Sequence, residues 1–438
     1  MLGRASWNDS LMQRYGQTRQ ATCWYPGPGD LRDRLSPLDL FRALRDSRRA
    51  QRPLALSIEV DDLAGVVQQT RQIACHLGPR QPVVQLRLRP GRLGLGALPE
   101  LLAHLRDCFH FSEHAVCLAE VELAHADWPL VGMLRSLGFS QLSVGVPDMH
   151  AGDGGSVEYF RSAARIRGLL EAARALQFEA INVDLGYGRS WQTGTSFARK
   201  LASIIELQPD RVSLFDYRSL SIAGRLPSPR LGLASRSAAR DMHRHGVEQL
   251  TAAGYRLLGL GCFVLPHDEL ALAQENESLR HDVAGYSTTP EGTDHLSLGV
   301  GAISRLGDCY VQCLQQPARY REALQQDLLP VWRGLHAAHV DGLRRAICQG
   351  LICQGRLDLQ ALDARFGAQA QRWFAATWPL LRQLQRETVL ELSSHGLMLA
   401  PEHQLLLPGL CEALVQPLIP GLAAQPKPDQ PRRCGTHR

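Results

Sequence analysis

The stretch Pro53-Leu-Ala-Leu-Ser-Ile-Glu-Val-Asp-Asp-Leu63 sets the frame for the whole chain. Its apolar run suits one strand and is too short for an ordinary helix, and it ends on two acids able to cap a helix behind them. The same unit recurs outward from it. Ala55 to Val60, Val83 to Leu88, Val116 to Val121, Gln141 to Val146, Ala180 to Leu185, Val212 to Phe215 and Arg256 to Leu260 are strand-like runs with helical patterns between them. That alternation belongs to a parallel sheet with crossover helices. The helix between the fourth and fifth runs shows the period best, with Phe160, Ala163, Ile166, Leu170, Ala173 and Leu176 on one stripe and Arg161, Arg165, Arg167 and Glu171 largely off it. Six or seven such units without an eighth predict an α/β fold, a partial parallel (β/α)6-type barrel. A doubly wound sheet is the alternative that the pattern leaves open.

At 438 residues and 45% hydrophobic, the chain can bury one large core and a smaller one. The expected division is an N-terminal arm (1–52), the barrel (53–265), a mainly helical, winged-helix-like domain (266–424) and a disordered tail (425–438) rich in Pro and Arg. The helical stretch from His336 through Leu384 should break at Gly355, around Arg365-Phe-Gly and at Pro379, and lead into a hairpin from Thr388 to Ala400 with Ser-His-Gly at its turn. No basic recognition helix stands out, which argues against nucleic acid. The 48 basic and 43 acidic residues are mixed along the chain, so a net charge of +5 serves solubility rather than a nucleic-acid or membrane surface. Eleven cysteines lie scattered, mostly in apolar surroundings such as Ala-Val-Cys117-Leu, as reduced thiols do. No uncharged run approaches the ~18 residues of a membrane helix, and the start Met1-Leu-Gly-Arg-Ala-Ser-Trp lacks the apolar core of a secretory signal. The expectation is a cytoplasmic protein without a membrane partner.

In either architecture chemistry belongs where loops converge at the carboxyl ends of the strands. The residues there are Asp61, Asp62, Arg87, Arg89, Glu120, Glu122, Asp148, Asp184 and Asp216. Any one of these acids can equally be a helix cap or half of a structural ion pair. The motifs H-E-x-x-H, G-x-S-x-G and G-x-x-x-x-G-K are absent.

Longer strings are more specific. Asn182-Val-Asp-Leu-Gly-Tyr-Gly188 with Gln192-Thr193, then Gln208-Pro-Asp-Arg-Val-Ser-Leu-Phe-Asp-Tyr217, occupy the fifth and sixth strands. Pro266-His-Asp-Glu-Leu-Ala-Leu-Ala-Gln274, Gly285-Tyr286, Gly299-Val-Gly-Ala-Ile-Ser304, Gly307-Asp-Cys-Tyr310 and Leu351-Ile-Cys-Gln-Gly-Arg-Leu-Asp358 follow in order, and Arg14-Tyr15 and Trp24-Tyr-Pro26 precede. This colinear set resembles oxygen-independent coproporphyrinogen III oxidase, a radical S-adenosylmethionine enzyme of haem synthesis, over nearly the whole chain. The resemblance implies a radical-SAM-like barrel. It also implies a cofactor pocket that includes Glu120, Asp184, Phe263, Ala302 and Ile303.

Against that family three departures stand out. Its C-x-x-x-C-x-x-C loop, whose thiolates hold the iron-sulfur cluster, aligns here with Leu63, Val67 and Thr70, and Ser57 stands where a tyrosine is usual. Its Gly-Gly-Gly-Thr-Pro loop, where glycine admits the cofactor, becomes Arg89-Pro-Gly-Arg-Leu93. Its Gly-Val-Gln-Asp becomes Gly145-Val-Pro147-Asp148, and a following Asn-Arg pair becomes Glu158-Tyr159. Cys309 with Cys313 and Cys348 with Cys353 have no third cysteine at cluster spacing and read as core packing, so no metal site is expected. The expectation is therefore a coproporphyrinogen oxidase-like pseudoenzyme with no cofactor and no assigned catalytic residue. It would bind a porphyrin or haem, with Arg87, Arg89 and Arg92 pairing the propionates. The alternatives are a regulatory or scaffold subunit of a partner homologue in haem synthesis, and an active enzyme with an unusual cofactor site.

Overall fold

A computed structural model of the chain describes residues 7–16, 26–78, 81–146, 155–218 and 232–418, with side chains in the last long helix of the barrel's first half described from 164. Six strands follow one another in parallel: β1 (Leu54–Glu59), β2 (Pro82–Arg89), β3 (His110–Glu122), β4 (Gln141–Val146), β5 (Ala180–Tyr187) and β6 (Arg211–Asp216). Helices Leu63–Ala74, Ala97–Cys108, Trp128–Ser136, Gly155–Ala175 and Gly194–Glu206 connect them.

Strand alternation gives this partial barrel one buried face and one polar face. Leu54, Leu56 and Ile58 of β1, Leu86 and Leu88 of β2, Ala119 and Val121 of β3, Leu142 and Val144 of β4, and Val212 and Leu214 of β6 are all buried. They share a core with Val66, Ile73, Leu101, Leu105, Val131, Leu134, Leu170 and Leu201 of the crossover helices. A fully buried Leu or Ile contributes about 1.5–3 kcal/mol, so this face fixes the register. The intervening positions, Ser57, Glu59, Arg87, Arg89, Glu120, Ser143, Asn182, Asp184 and Ser213, are polar and face the other way. Successive strands bring them into rows: Glu59 pairs with Arg89, Glu120 with Ser143 and Ser143 with Asn182.

The seventh run forms β7 (Arg256–Gly259), but it does not continue the parallel array. It turns back at Leu260-Gly261 into β8 (Cys262–Val264), which lies antiparallel to β6. Gly261 has φ +77°, and a Cβ there would stand 2.1 Å from the carbonyl oxygen of Leu214, so only glycine permits this docking.

The βα repeat stops near Leu265 as expected, yet the sheet does not. After the small hairpin of β9 (Arg280–Asp282) and β10 (Gly285–Ser287), β11 (Asp294–Leu298) joins β1 in parallel. Then β12 (Ile303–Leu306), β13 (Cys309–Cys313) and β14 (Val331–His336) add antiparallel strands, giving twelve in one sheet among the described residues. A boundary at 265/266 thus cuts through the sheet. These strands were hidden because β11 carries the buried polar residues Asp294, His295 and Ser297 beside only Leu296 and Leu298.

From His339 the chain is mainly helical, with β15 (Arg356–Asp358), β16 (Leu390–Leu392) and β17 (Gly396–Leu399) in a separate antiparallel sheet. Helix His339–Gln349 passes into a π-helical turn, Gly350–Gln354, that stops at Gly355, and Leu359–Phe366 stops at Gly367, but Ala368–Arg386 runs straight through Pro379. A helix-interior proline costs about 3 kcal/mol. Trp373 and Thr377 before it, and Leu381 and Leu384 after it, are all buried and offset that cost. The N-terminal arm docks through Asp9–Tyr15. Arg14 and Tyr15 reach Glu387 at 2.5 and 2.8 Å, and Trp7 meets His243 edge-on. Trp24 and Tyr25, Pro147 and Asp148, and the tail from 425 lie outside the described residues, as do the side chains of Phe160, Ala163, Glu158 and Tyr159. None of the described cysteines forms a disulfide, and no helix among the described residues is long and apolar enough to cross a membrane.

Candidate functional site

The polar rows converge at the carboxyl ends of β1 to β6. Because Leu88 pairs with Ala119, the next residues, Arg89 and Glu120, stand side by side. Arg89 donates from Nη1 to Glu59 Oε1 at 2.9 Å and from Nη2 and Nε to Glu120 Oε2 at 2.6 and 3.2 Å. Arg87 approaches the other oxygen of Glu120 at 3.3 Å and also donates to the carbonyl of Ala284. Thus two of the three arginines marked for propionates are held by the chain's own carboxylates. Arg92 lies exposed in the turn after β2 and forms no ion pair among the described residues.

Asp184 sits two residues above Asn182 on the same face of β5. It accepts from Ser143 Oγ at 2.8 Å and from Asn182 Nδ2 at 2.9 Å, while Ser213 Oγ donates to Asn182 Oδ1 at 3.1 Å. Burial, then the charge of Glu120, push its carboxyl above the ordinary range, and the hydrogen bonds of Ser143, Asn182 and Ser213 act against that. Burial and Glu59 raise Asp61 in the same sense. Asp62 is a cap: it accepts from the N–H of Gly65 at 3.2 Å and faces Arg321 at 3.5 Å. Glu122 stands 3.4 Å from His125, and Asp216 accepts from the backbone of Arg218 at 2.8 Å.

The remaining pocket residues are dispersed. Phe263 on β8 is fully buried and pairs with Val212 in the core. Ala302 and Ile303 stand half-buried where β12 begins, on the opposite flank of the sheet. Leu63, Val67 and Thr70 belong to the helix directly after β1. Leu63 and Val67 are half-buried, and Thr70 donates its hydroxyl to the carbonyl of Val66 at 2.7 Å. Sequence reading passed over Glu59, although the period of two puts it on the face of Ser57. It also passed over Arg189, which lies between the quoted Gly188 and Gln192.

The whole architecture is shared with a known group of proteins. A curated oxygen-independent coproporphyrinogen III oxidase of Pseudomonas aeruginosa is 34% identical, over 97% of this chain and 99% of its own length. The chain belongs to the oxygen-independent coproporphyrinogen III oxidase family. The Escherichia coli enzyme of that name is 32% identical over 74% of this chain and 71% of its own. Residues 338–406 match the HemN C-terminal domain. A solved structure of E. coli coproporphyrinogen III oxidase (HemN), described as a radical SAM enzyme, superposes with a TM-score of 0.80 at 26% identity, covering 94% of this chain and 99% of that one.

This kinship corrects the expectation that no cofactor is involved, because the solved relative is a radical SAM enzyme. That class works with an iron-sulfur cluster and S-adenosylmethionine. The side chains at 63, 67 and 70 do not fit the cluster, since two are aliphatic and the third is a hydroxyl committed to its own helix. Among the described residues no group of His, Cys, Asp or Glu is placed to hold a metal ion elsewhere.

Proposed function

We propose that this member of the coproporphyrinogen III oxidase family binds a tetrapyrrole at the barrel mouth without carrying out the radical decarboxylation. The observation that carries this reading is the contrast between a scaffold matched over 94% of the chain and the residues Leu63, Val67 and Thr70 at the cluster positions. Hydrogen abstraction from an unactivated carbon needs a radical. Carboxylates, hydroxyls and guanidinium groups move protons or hold charge, and those are what the mouth offers. What it offers a propionate is cationic: Arg92 at the rim, with Arg87 and Arg89 beneath it sharing Glu120.

The test has two arms. Titration of the purified chain with coproporphyrin III should shift and sharpen the Soret band at a stoichiometry near one. After anaerobic incubation with iron, sulfide, reductant and S-adenosylmethionine, no 5′-deoxyadenosine and no decarboxylated product should form. Turnover by the wild-type chain would overturn the proposal, and so would an unchanged Soret band.

A further inference from the structure

Arg189 stands just beyond β5 in a turn that Gln192 fixes from both sides. The N–H of Arg189 donates to Gln192 Oε1 at 2.9 Å, the N–H of Gln192 to the carbonyl of Arg189 at 3.1 Å, and Gln192 Nε2 to the carbonyl of Gly186 at 3.0 Å. The guanidinium carbon lies 3.9 Å from the centre of the Tyr217 ring and 5.5 Å from that of Trp191. Tyr217 reaches this position because Gly186 has no side chain, as a Cβ there would meet the ring at 2.4 Å. Two of the strings that mark the family, Gly186-Tyr-Gly188 and Phe215-Asp-Tyr217, therefore meet around a cation.

Three arginines among the described residues are buried: Arg189, Arg211 and Arg344. Arg211 has Asp268 at 2.7 Å and Glu269 at 3.0 Å, and Arg344 has Asp341 at 3.5 Å and Asp30 at 3.8 Å. Arg189 is 5% exposed and, among the described residues, has no carboxylate within ion-pair distance and no hydrogen-bond partner for its Nε and Nη1. The nearby Asp216 is engaged by Arg218. A guanidinium cannot shed its proton. Cation–π contact offsets only part of the desolvation of a buried charge, so the arrangement lacks an anion among the described residues. The turn is at the carboxyl end of β5, the end at which ligands enter such barrels.

We propose that Arg189 is a seat for a carboxylate of the bound ligand, a propionate of the tetrapyrrole, on the β5–β6 side of the mouth. The proposal rests on the tetrapyrrole reading above and makes it specific. Side-chain packing with Tyr217 and the Gln192 turn hold the guanidinium in place before ligand arrives, which limits the ordering cost of binding.

The experiment compares the full-length wild type with Arg189→Leu and Arg189→Lys, titrated with coproporphyrin III and with its tetramethyl ester and followed at the Soret band. Wild type should bind the ester at least 10-fold more weakly than the acid. Arg189→Leu should lose roughly 10- to 100-fold in affinity for the acid, the range for a charge-assisted hydrogen bond, and Arg189→Lys should fall between. Without ligand, Arg189→Leu should melt no lower than wild type, because an uncompensated charge has been removed. Equal affinity of wild type and Arg189→Leu for the acid would overturn the seat and leave the tetrapyrrole reading standing. A markedly lower melting point of unliganded Arg189→Leu would overturn it by showing a structural partner. Wild type binding neither porphyrin would remove both.

Discussion

Arg89 and Arg189 stand at the same end of the barrel under opposite conditions. Arg89 is about half exposed, with a side-chain accessibility of 49%, and is clasped between Glu59 and Glu120. Arg189 is buried and faces the rings of Tyr217 and Trp191, with no acid within ion-pair distance among the described residues. Arg89 has counter-ions although water can solvate it, whereas Arg189, unlike the likewise buried Arg211 and Arg344, has no carboxylate within ion-pair distance among the described residues. The exposed pair contributes little to stability, because solvent screens it and two long side chains must be ordered. The buried cation is the costly one, because cation–π contact offsets only part of its desolvation. On the β1–β3 side Arg87 and Arg89 are met by the chain's own carboxylates, and on the β5–β6 side Arg189 has none within ion-pair distance among the described residues.

The largest effect should come from breaking the packing that creates this difference. Gly186→Val puts methyl groups where the Tyr217 ring lies, and overpacking of this kind typically costs about 1–3 kcal/mol. Urea unfolding should show that loss, and porphyrin affinity should fall with it as Tyr217 and Arg189 shift together. A valine variant as stable as wild type would mean that the ring is free to move aside.

Next is Asp184, which lies between the two regions. Its folded carboxyl titrates above the unfolded value near 3.9. The native state therefore holds more protons than the unfolded state between those two values. Stability contributed by the protonated form is present below the unfolded value and is lost as pH rises through the folded one. Asp184→Asn removes this loss while keeping an oxygen for Ser143. Its stability relative to wild type should rise from pH 4 to pH 7, read from denaturant midpoints, and a difference independent of pH would refute the shift.

Much of this was legible in the sequence, and the reasons for success and failure are physical. Leu54, Leu56 and Ile58 alternate with Ala55, Ser57 and Glu59, so both the strand and its two faces could be read from Pro53–Leu63. Position alone told which residues reach the carboxyl ends. Partners were not legible, because the Glu59–Arg89–Glu120 contact depends on the register of three strands. Arg189 looked like any loop arginine, since its burial depends on Gly186 admitting a ring from residue 217. β11 mixes the buried polar residues Asp294, His295 and Ser297 with Leu296 and Leu298, so no clean alternation marked it, and Pro379 was overruled by packing on both sides of it.

A double-mutant cycle of Arg89→Ala and Glu120→Ala measures the exposed side directly. The coupling should be about 0.2–1 kcal/mol, given how open Arg89 is to solvent. It should shrink as salt is raised from 0.05 to about 0.5 M, because screening acts on exposed pairs first. A coupling of several kcal/mol would place this pair in the same class as the buried arginines and dissolve the contrast with Arg189.

The smallest effect on stability belongs to Arg92, and it separates the two sides of the mouth most cleanly. Arg92 is exposed and forms no ion pair among the described residues, so Arg92→Ala should leave the denaturant midpoint unchanged within about 0.5 kcal/mol. If propionates engage the rim, porphyrin affinity should still fall, by less than the loss at Arg189, since a solvated guanidinium gains less from a carboxylate than a buried one. Combined with Arg189→Leu the two losses should add in free energy, as expected for separate carboxylates of one ligand held by residues without shared partners. A loss at Arg92 larger than at Arg189 would reverse the assignment and move the ligand to the β1–β3 side, where Glu59 and Glu120 would then have to release Arg89 to make room.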